Sequence, residues 1–276
     1  MAKLPLLGAA RATAFLLLTV LLLGLYLPAM LLGRPATARI RWVWCVATCR
    51  IVGLRVAGSG RPFTACPALF VANHVSYLDI IALGASLEAT FIAKAEVAGW
   101  PLFGLLGRIT RTLFIRRHWR QARIQRNALT ARMRAGEGFV LFAEGTSTNG
   151  LGVQRLKTSL LSVAEPWILD RPVAVQAVTL AYVRLADGAP VDVTNCDLYA
   201  WHGDAELLPH LWAVLQMPGI ELRLVLHEPV LSWSVQSRKV LGQELREQIG
   251  RQLTLAHAEG HQTPPEMVEP STAALI

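Results

Sequence analysis

From Ala12 to Gly33 the chain runs for 22 residues without a charge, and leucine dominates the stretch. A helix of that length covers a hydrocarbon layer of about 30 Å. The run therefore predicts a transmembrane or deeply inserted anchor, and the remaining fold must be compatible with a membrane surface. A cleaved leader fits less well, because the run is long for a leader's apolar region and Arg34 and Pro35 crowd the cleavage-like Ala36-Thr37-Ala38. A re-entrant hairpin broken at Pro28 stays open, since proline inside a helix removes a backbone hydrogen bond.

Charge placement points the same way. Residues 1–135 hold 18 Lys/Arg against 3 Asp/Glu, whereas residues 136–276 hold 9 against 16. A basic half that also carries the most apolar segment suits anionic membrane lipids, and without a nucleic-acid motif no nucleic acid is expected as partner. Arg34, Arg39, Arg41 and Arg50 follow the run, against Lys3 and Arg11 before it. The positive-inside bias then predicts an inner (cytoplasmic) membrane protein with its body on the cytoplasmic side. Trp42 and Trp44 suit either an interfacial stretch at headgroup level or a half-buried first helix of the body. Cys45, Cys49, Cys66 and Cys196 lack metal-ligand spacing, so they read as reduced packing thiols and no metal is expected.

Beyond residue 58, short apolar runs alternate with helical patterns, which predicts an α/β fold in which a central mixed sheet is flanked by helices. Strands are expected at Ala68–Ala72, Thr90–Ala93, Thr112–Arg116, Gly138–Phe142, Val173–Leu180 and Glu221–Leu226. Helices are expected at Ile80–Leu87, Arg120–Ala135, Glu206–Leu215 and Val240–Ala258. The organisation is then an anchor and interfacial helix over 1–57, a body over 58–257, and a disordered tail over 258–276 around Pro264-Pro265.

One segment carries chemistry. The strand Ala68–Ala72 runs into Asn73-His74-Val75-Ser76-Tyr77-Leu78-Asp79. On a regular helix a five-residue offset turns Asp79 about 140° away from His74. Contact therefore needs His74 in the loop after the strand and Asp79 in the first helical turn. There Asp79 accepts the Nδ1 proton of His74 and stabilises the imidazolium formed when Nε2 takes a proton from a substrate hydroxyl. The plain alternative is that Asp79 caps a helix and His74 is an ordinary loop histidine.

The pattern N-H-x-x-x-x-D after a strand resembles the first block of the glycerolipid acyltransferase family. Arg111-Thr112-Leu113-Phe114-Ile115-Arg116-Arg117 is similar to the second block, with Arg111 in place of glycine. Phe142-Ala143-Glu144-Gly145-Thr146-Ser147-Thr148 is similar to the third, with Ala143 for proline and Ser147 for arginine. Val175-Gln176-Ala177-Val178-Thr179 fits the fourth loosely, with Ala177 where proline is usual. The resemblance implies a glycerol-3-phosphate acyltransferase-like fold and transfer of a fatty acyl group from acyl carrier protein or coenzyme A to a lysolipid hydroxyl, with no further cofactor.

It also implies His74 as base with Asp79 as its partner. Arg117 would hold the acceptor phosphate, with Asn73, Glu144, Gly145, Thr146 and Lys157 completing the substrate site; the sequence does not name the oxyanion donors, for which the N–H groups near Gly145 are one candidate. The leading acceptor is 1-acyl-glycerol-3-phosphate. Lyso-ornithine lipid is the alternative raised by Glu144–Gly150, and a non-catalytic membrane-binding protein of the same fold is a third reading.

Overall fold

The computed structural model describes residues 4–65, 67–115, 122–159, 161 and 172–261. In it α1 (Pro5–Ala29) and α2 (Arg34–Val52) form a helical hairpin. The turn between them is a short 3-10 segment over Met30–Leu32 followed by Gly33, whose φ of 90° allows the reversal. Pro28 sits one residue before the end of α1 and so coincides with the turn.

The body is a sheet of strands β1 (Leu54–Ser59), β2 (Ala68–Ala72), β3 (Thr90–Lys94), β4 (Leu113–Ile115), β5 (Phe139–Phe142), β6 (Ala174–Leu185), β7 (Ile220–Leu226) and β8 (Val230–Leu231). Their order is β1-β7-β6-β2-β5-β3-β4, with β8 beside β6. From β6 to β4 the neighbours along this path run parallel, while β7 runs antiparallel to β6 and β1 parallel to β7. The sheet is mixed, as expected, but it starts at Leu54, inside the stretch assigned above to the anchor. β1 was missed because Leu54-Arg55-Val56-Ala57-Gly58-Ser59 carries little β-branched character and gains its place by pairing with β7.

The helices of the body are α3 (Leu78–Ser86), α4 (Pro101–Ile109), α5 (Ala122–Arg134), α6 (Leu207–Gln216) and α7 (Arg238–Gly260). The period-two alternation of β2 sets the two layers. Phe70 and Ala72 face a cluster with Cys49 and Val52 of α2, Leu78, Ala82 and Leu83 of α3, and Val214 of α6. Leu69 and Val71 face Leu129 and Met133 of α5 and Leu241, Leu245 and Ile249 of α7. A strand covered on both sides is largely apolar, and every residue of β2 and β6 is buried, with Gln176 and Thr179 of β6 paired through hydrogen bonds. α7 continues through Gly260, past the expected end of the body at 257, and residues 262–276 of the expected tail lie outside the described residues.

α1 is tied to this body along its length. The Leu4 N–H donates to Gln216 O at 3.3 Å, the Arg11 guanidinium donates to the carbonyls of Leu215, Met217 and Pro218, and the Tyr26 hydroxyl donates to Ile109 O at 2.8 Å. At 1.5 Å per residue, Leu4 and Tyr26 stand about 33 Å apart, so both ends of α1 rest on one body. Pro5–Leu32 is long and apolar enough to cross a membrane, and its outer face exposes Leu16, Leu17, Val20, Leu21, Leu25, Leu31 and Leu32. α2 belongs to the body as well. Trp42 Nε1 donates to Ala85 O and Trp44 Nε1 to Thr19 Oγ1, which makes it the half-buried first helix rather than an exposed interfacial one. Part of the excess positive charge is spent internally, since Arg34, Arg111 and Arg132 converge on the buried Glu137 at 3.7, 2.8 and 2.5 Å.

Candidate active site

β2 lies between β5 and β6, all three parallel, so their carboxyl ends open on one edge of the sheet. A crevice at such an edge is where open α/β sheets hold ligands. β6 outruns β2 by several residues. As the chain leaves β2, Asn73 prolongs the pairing with its side chain: Nδ2 donates to Leu180 O at 2.9 Å and Leu180 N donates to Oδ1 at 2.8 Å. Asn73 is fully buried with both amide atoms occupied. The structure places it as a brace on the backbone of β6.

His74 follows in the loop, and Asp79 stands in the first turn of α3. His74 Nδ1 lies 2.8 Å from Asp79 Oδ2, the same oxygen that accepts the N–H groups of Val75 at 2.7 Å and Ser76 at 3.0 Å. The other oxygen, Oδ1, accepts the Tyr182 hydroxyl at 2.8 Å. Asp79 has no solvent exposure and the His74 side chain is 19% exposed. With Nδ1 on the carboxylate, Nε2 faces outward without a hydrogen bond among the described residues. The imidazole stacks on Phe142 at 4.0 Å between ring centroids, which fixes its plane. Asp79 is not the N-cap of α3; it reaches back to the loop, so one side chain orders both the backbone and the imidazole.

β5 delivers the second half of the site. Glu144 follows it and bridges the loops, Oε1 accepting His74 N at 2.8 Å and Oε2 accepting Gln154 N at 2.7 Å. Burial pushes the Glu144 carboxyl up, while the N–H groups of Gln154 and His74 pull it down. Glu144 thus orders the site from behind, with both oxygens occupied by backbone. Gly145 has a φ of 76° and turns its N–H onto Phe142 O at 3.1 Å, so that N–H is not an oxyanion donor. Thr148 grips the His74 carbonyl with N–H and hydroxyl at 2.9 and 3.2 Å.

Thr146 and Ser147 line an open cavity of about 610 Å³ of mixed polar and apolar character, with Thr148, Asn149, Val153, Gln154 and His202. Lys157 is exposed and donates its N–H to Ala143 O at 2.7 Å. Arg117 and its neighbour Arg116 lie outside the described residues. Sequence reasoning missed Tyr182 and the role of Thr148, because neither stands in a spacing that points at His74. A clue was present at Arg111, where the family pattern has glycine: the backbone there has a φ of 62°, which glycine adopts without strain. Burial pushes the Cys45 and Cys49 thiols up to about 12, which suits inert packing cysteines; Cys66 lies outside the described residues.

A histidine held by a buried carboxylate at the carboxyl edge of a largely parallel sheet is an arrangement able to take a proton from a hydroxyl. The acyltransferase family model matches residues 55–180. A lyso-ornithine lipid O-acyltransferase of Brucella abortus is 36% identical over 204 residues, 72% of this chain and 76% of the relative. A 1-acyl-sn-glycerol-3-phosphate acyltransferase of Neisseria meningitidis is 37% identical over 176 residues, 63% of this chain and 64% of the relative. The crystal structure of the 1-acyl-sn-glycerophosphate acyltransferase PlsC from Thermotoga maritima superposes with a TM-score of 0.63 over 92% of this chain and all of that one; at 18% identity the likeness shows the fold alone. The chain belongs to the acyltransferase family, in the branch that acylates lysophospholipids and lyso-ornithine lipids.

Proposed function

We propose that this chain moves a fatty acyl group from a thioester of acyl carrier protein or coenzyme A to the free hydroxyl of lyso-ornithine lipid, with His74 as general base. The single observation that carries the mechanism is the Nδ1 contact of His74 with Asp79 at 2.8 Å, which leaves Nε2 free to take a proton. The acceptor hydroxyl gives its proton to Nε2 as its oxygen attacks the thioester carbonyl. The tetrahedral intermediate then collapses, the C–S bond breaks, and the thiolate regains that proton from the imidazolium. Asp79 supports the transient positive charge throughout.

The acceptor assignment is supported by Ser147 in place of the family arginine and by the lining of the cavity beside it, in which no Lys or Arg stands among the described residues. A phosphate dianion carries two negative charges that a guanidinium ordinarily clamps, whereas the single carboxylate of an ornithine head group is offset by its own ammonium and depends less on such a clamp. The reading also accords with the Brucella abortus relative. Phosphate recognition by Arg116 and Arg117 is the second reading, favoured by the second block and by the Neisseria meningitidis relative. Because both ends of α1 rest on the body, we read α1 as lying along the bilayer surface, with its leucine face among the lipids on the cytoplasmic side of the inner membrane.

The test offers purified protein acyl carrier protein or coenzyme A thioesters with lyso-ornithine lipid and 1-acylglycerol-3-phosphate, and reads products by mass. Product from lyso-ornithine lipid, lost in His74→Ala, is expected, and Ser147→Arg should raise turnover of the phosphate acceptor. Product from the phosphate acceptor alone would reject the head-group assignment. Undiminished turnover by folded His74→Ala would reject the base.

A further inference from the structure

We propose that Tyr182 is a positioning residue for the reaction: its hydroxyl fixes the orientation and charge distribution of Asp79, and through Asp79 the basicity of His74. The inference rests on the reading of His74 as base, and nothing in the family blocks points to this tyrosine.

Three observations converge. First, the Tyr182 hydroxyl is the donor to Asp79 Oδ1, at 2.8 Å, while Oδ2 takes the imidazole and two backbone N–H groups. A carboxylate can rotate about its terminal bond; three donors gather on Oδ2, and the hydroxyl is the donor that engages Oδ1 and holds that second oxygen in place. Second, β6 is built to bring the tyrosine there. It runs past the end of β2 beside the His74 loop, and its pairing with β7 shifts between Tyr182 and Arg184, so that Val183 is an extra residue. A bulge of this kind re-aims a side chain. Third, the phenol is fixed. Tyr182 is fully buried and stacks on Tyr199 at 4.5 Å between ring centroids.

The titratable groups around the tyrosine are Asp79 on α3, Cys49 on α2, and Tyr199. Burial first, and then the charge of Asp79, hold its hydroxyl in the protonated form, so the phenol is a donor at every working pH. It exchanges no proton with substrate. Its effect is to spread the negative charge of Asp79 over both oxygens, which tempers the pull of Oδ2 on the imidazole proton.

Tyr182→Phe deletes one oxygen and keeps the stack on Tyr199. In the full-length enzyme kcat should fall by about ten- to a hundredfold, the range for one hydrogen bond to a charged acceptor, with KM within about twofold. The acid limb of the kcat/KM profile should move to higher pH, because concentrated charge on Oδ2 favours the imidazolium. The low-field Nδ1 proton resonance of His74 should move with it. In an Asp79→Asn background the same substitution should change kcat no further, since the hydroxyl acts only through the carboxylate.

A tyrosine that merely packs would lower stability equally in both backgrounds and leave the acid limb and the proton resonance in place. That result would overturn the proposal while leaving His74 as base. Should the Phe variant not fold, 3-fluorotyrosine at position 182 keeps the shape and donates more strongly. The acid limb must then move to lower pH, and an unmoved limb would overturn the proposal. Turnover that survives His74→Ala would instead remove the reading on which it rests.

Discussion

Asp79 performs two tasks that two substitutions should separate. Its carboxylate accepts four hydrogen bonds, of which those from Val75 N, Ser76 N and the Tyr182 hydroxyl are buried. Asp79→Ala leaves these three donors without an acceptor in a site closed to water. At about 1–3 kcal/mol for each stranded donor, the loss is about 3–9 kcal/mol, a large part of the roughly 5–15 kcal/mol that holds a domain together. Asp79→Asn differs in kind. Its carbonyl oxygen can take the place of Oδ2 and keep both backbone N–H groups, so the fold should survive with a loss of about 1–3 kcal/mol. The amide carries no charge to support an imidazolium, and kcat should fall by about 10² to 10⁴.

Chemical denaturation in detergent, followed by tryptophan fluorescence, measures the first quantity, and single-acceptor turnover of the folded variants measures the second. The ordering Ala less stable than Asn, with both nearly inactive, is the expected outcome. An Asn variant turning over at the wild-type rate would refute the electrostatic role. An Ala variant as stable as wild type would refute the count of stranded donors.

Arg111→Gly should change stability by less than about 1 kcal/mol, because relief of a left-handed backbone offsets the loss of a half-exposed ion pair with Glu137. Arg111→Ala loses the pair without that relief, and denaturation midpoints should rank it below the glycine variant. Arg11→Met removes the donor to three carbonyls at the end of α6; hydrogen exchange of residues 5–11 should accelerate by at least tenfold, and unchanged protection would show that α1 is held elsewhere. Burial pushes the imidazoles of His210, His227 and His257 down, so the unfolded chain binds protons more readily than the folded one. Stability is then present above the ordinary histidine value near 6.5 and is lost as pH falls through it, levelling off below the depressed folded values. Denaturation midpoints measured between pH 7 and 5 should show the slope, and His257→Gln should flatten it.

The α/β class, the strand Ala68–Ala72 and the meeting of His74 with Asp79 were legible in the chain, because each depends on residues a few positions apart. A strand that ends in a loop and re-enters a helix can place side chains five positions apart in contact, and no distant segment is needed to say so. The uncharged run, long and apolar enough to cross a hydrocarbon layer, was likewise legible without any distant contact.

The partners of those residues were decided elsewhere. Tyr182 reaches Asp79 across 103 positions, Asn73 is claimed by Leu180 across 107, and the three arginines on Glu137 come from α2, the end of α4 and α5. These contacts depend on strand order and register, which no local pattern encodes. Asn73 illustrates the difference: in the chain it belongs to a catalytic block, yet β6 outlasting β2 turns its amide to the backbone. Sequence by itself placed His74 beside Asp79, whereas only the packed sheet decided which groups hold that carboxylate still, because a buried acceptor is satisfied by whatever donor the tertiary fold brings within reach.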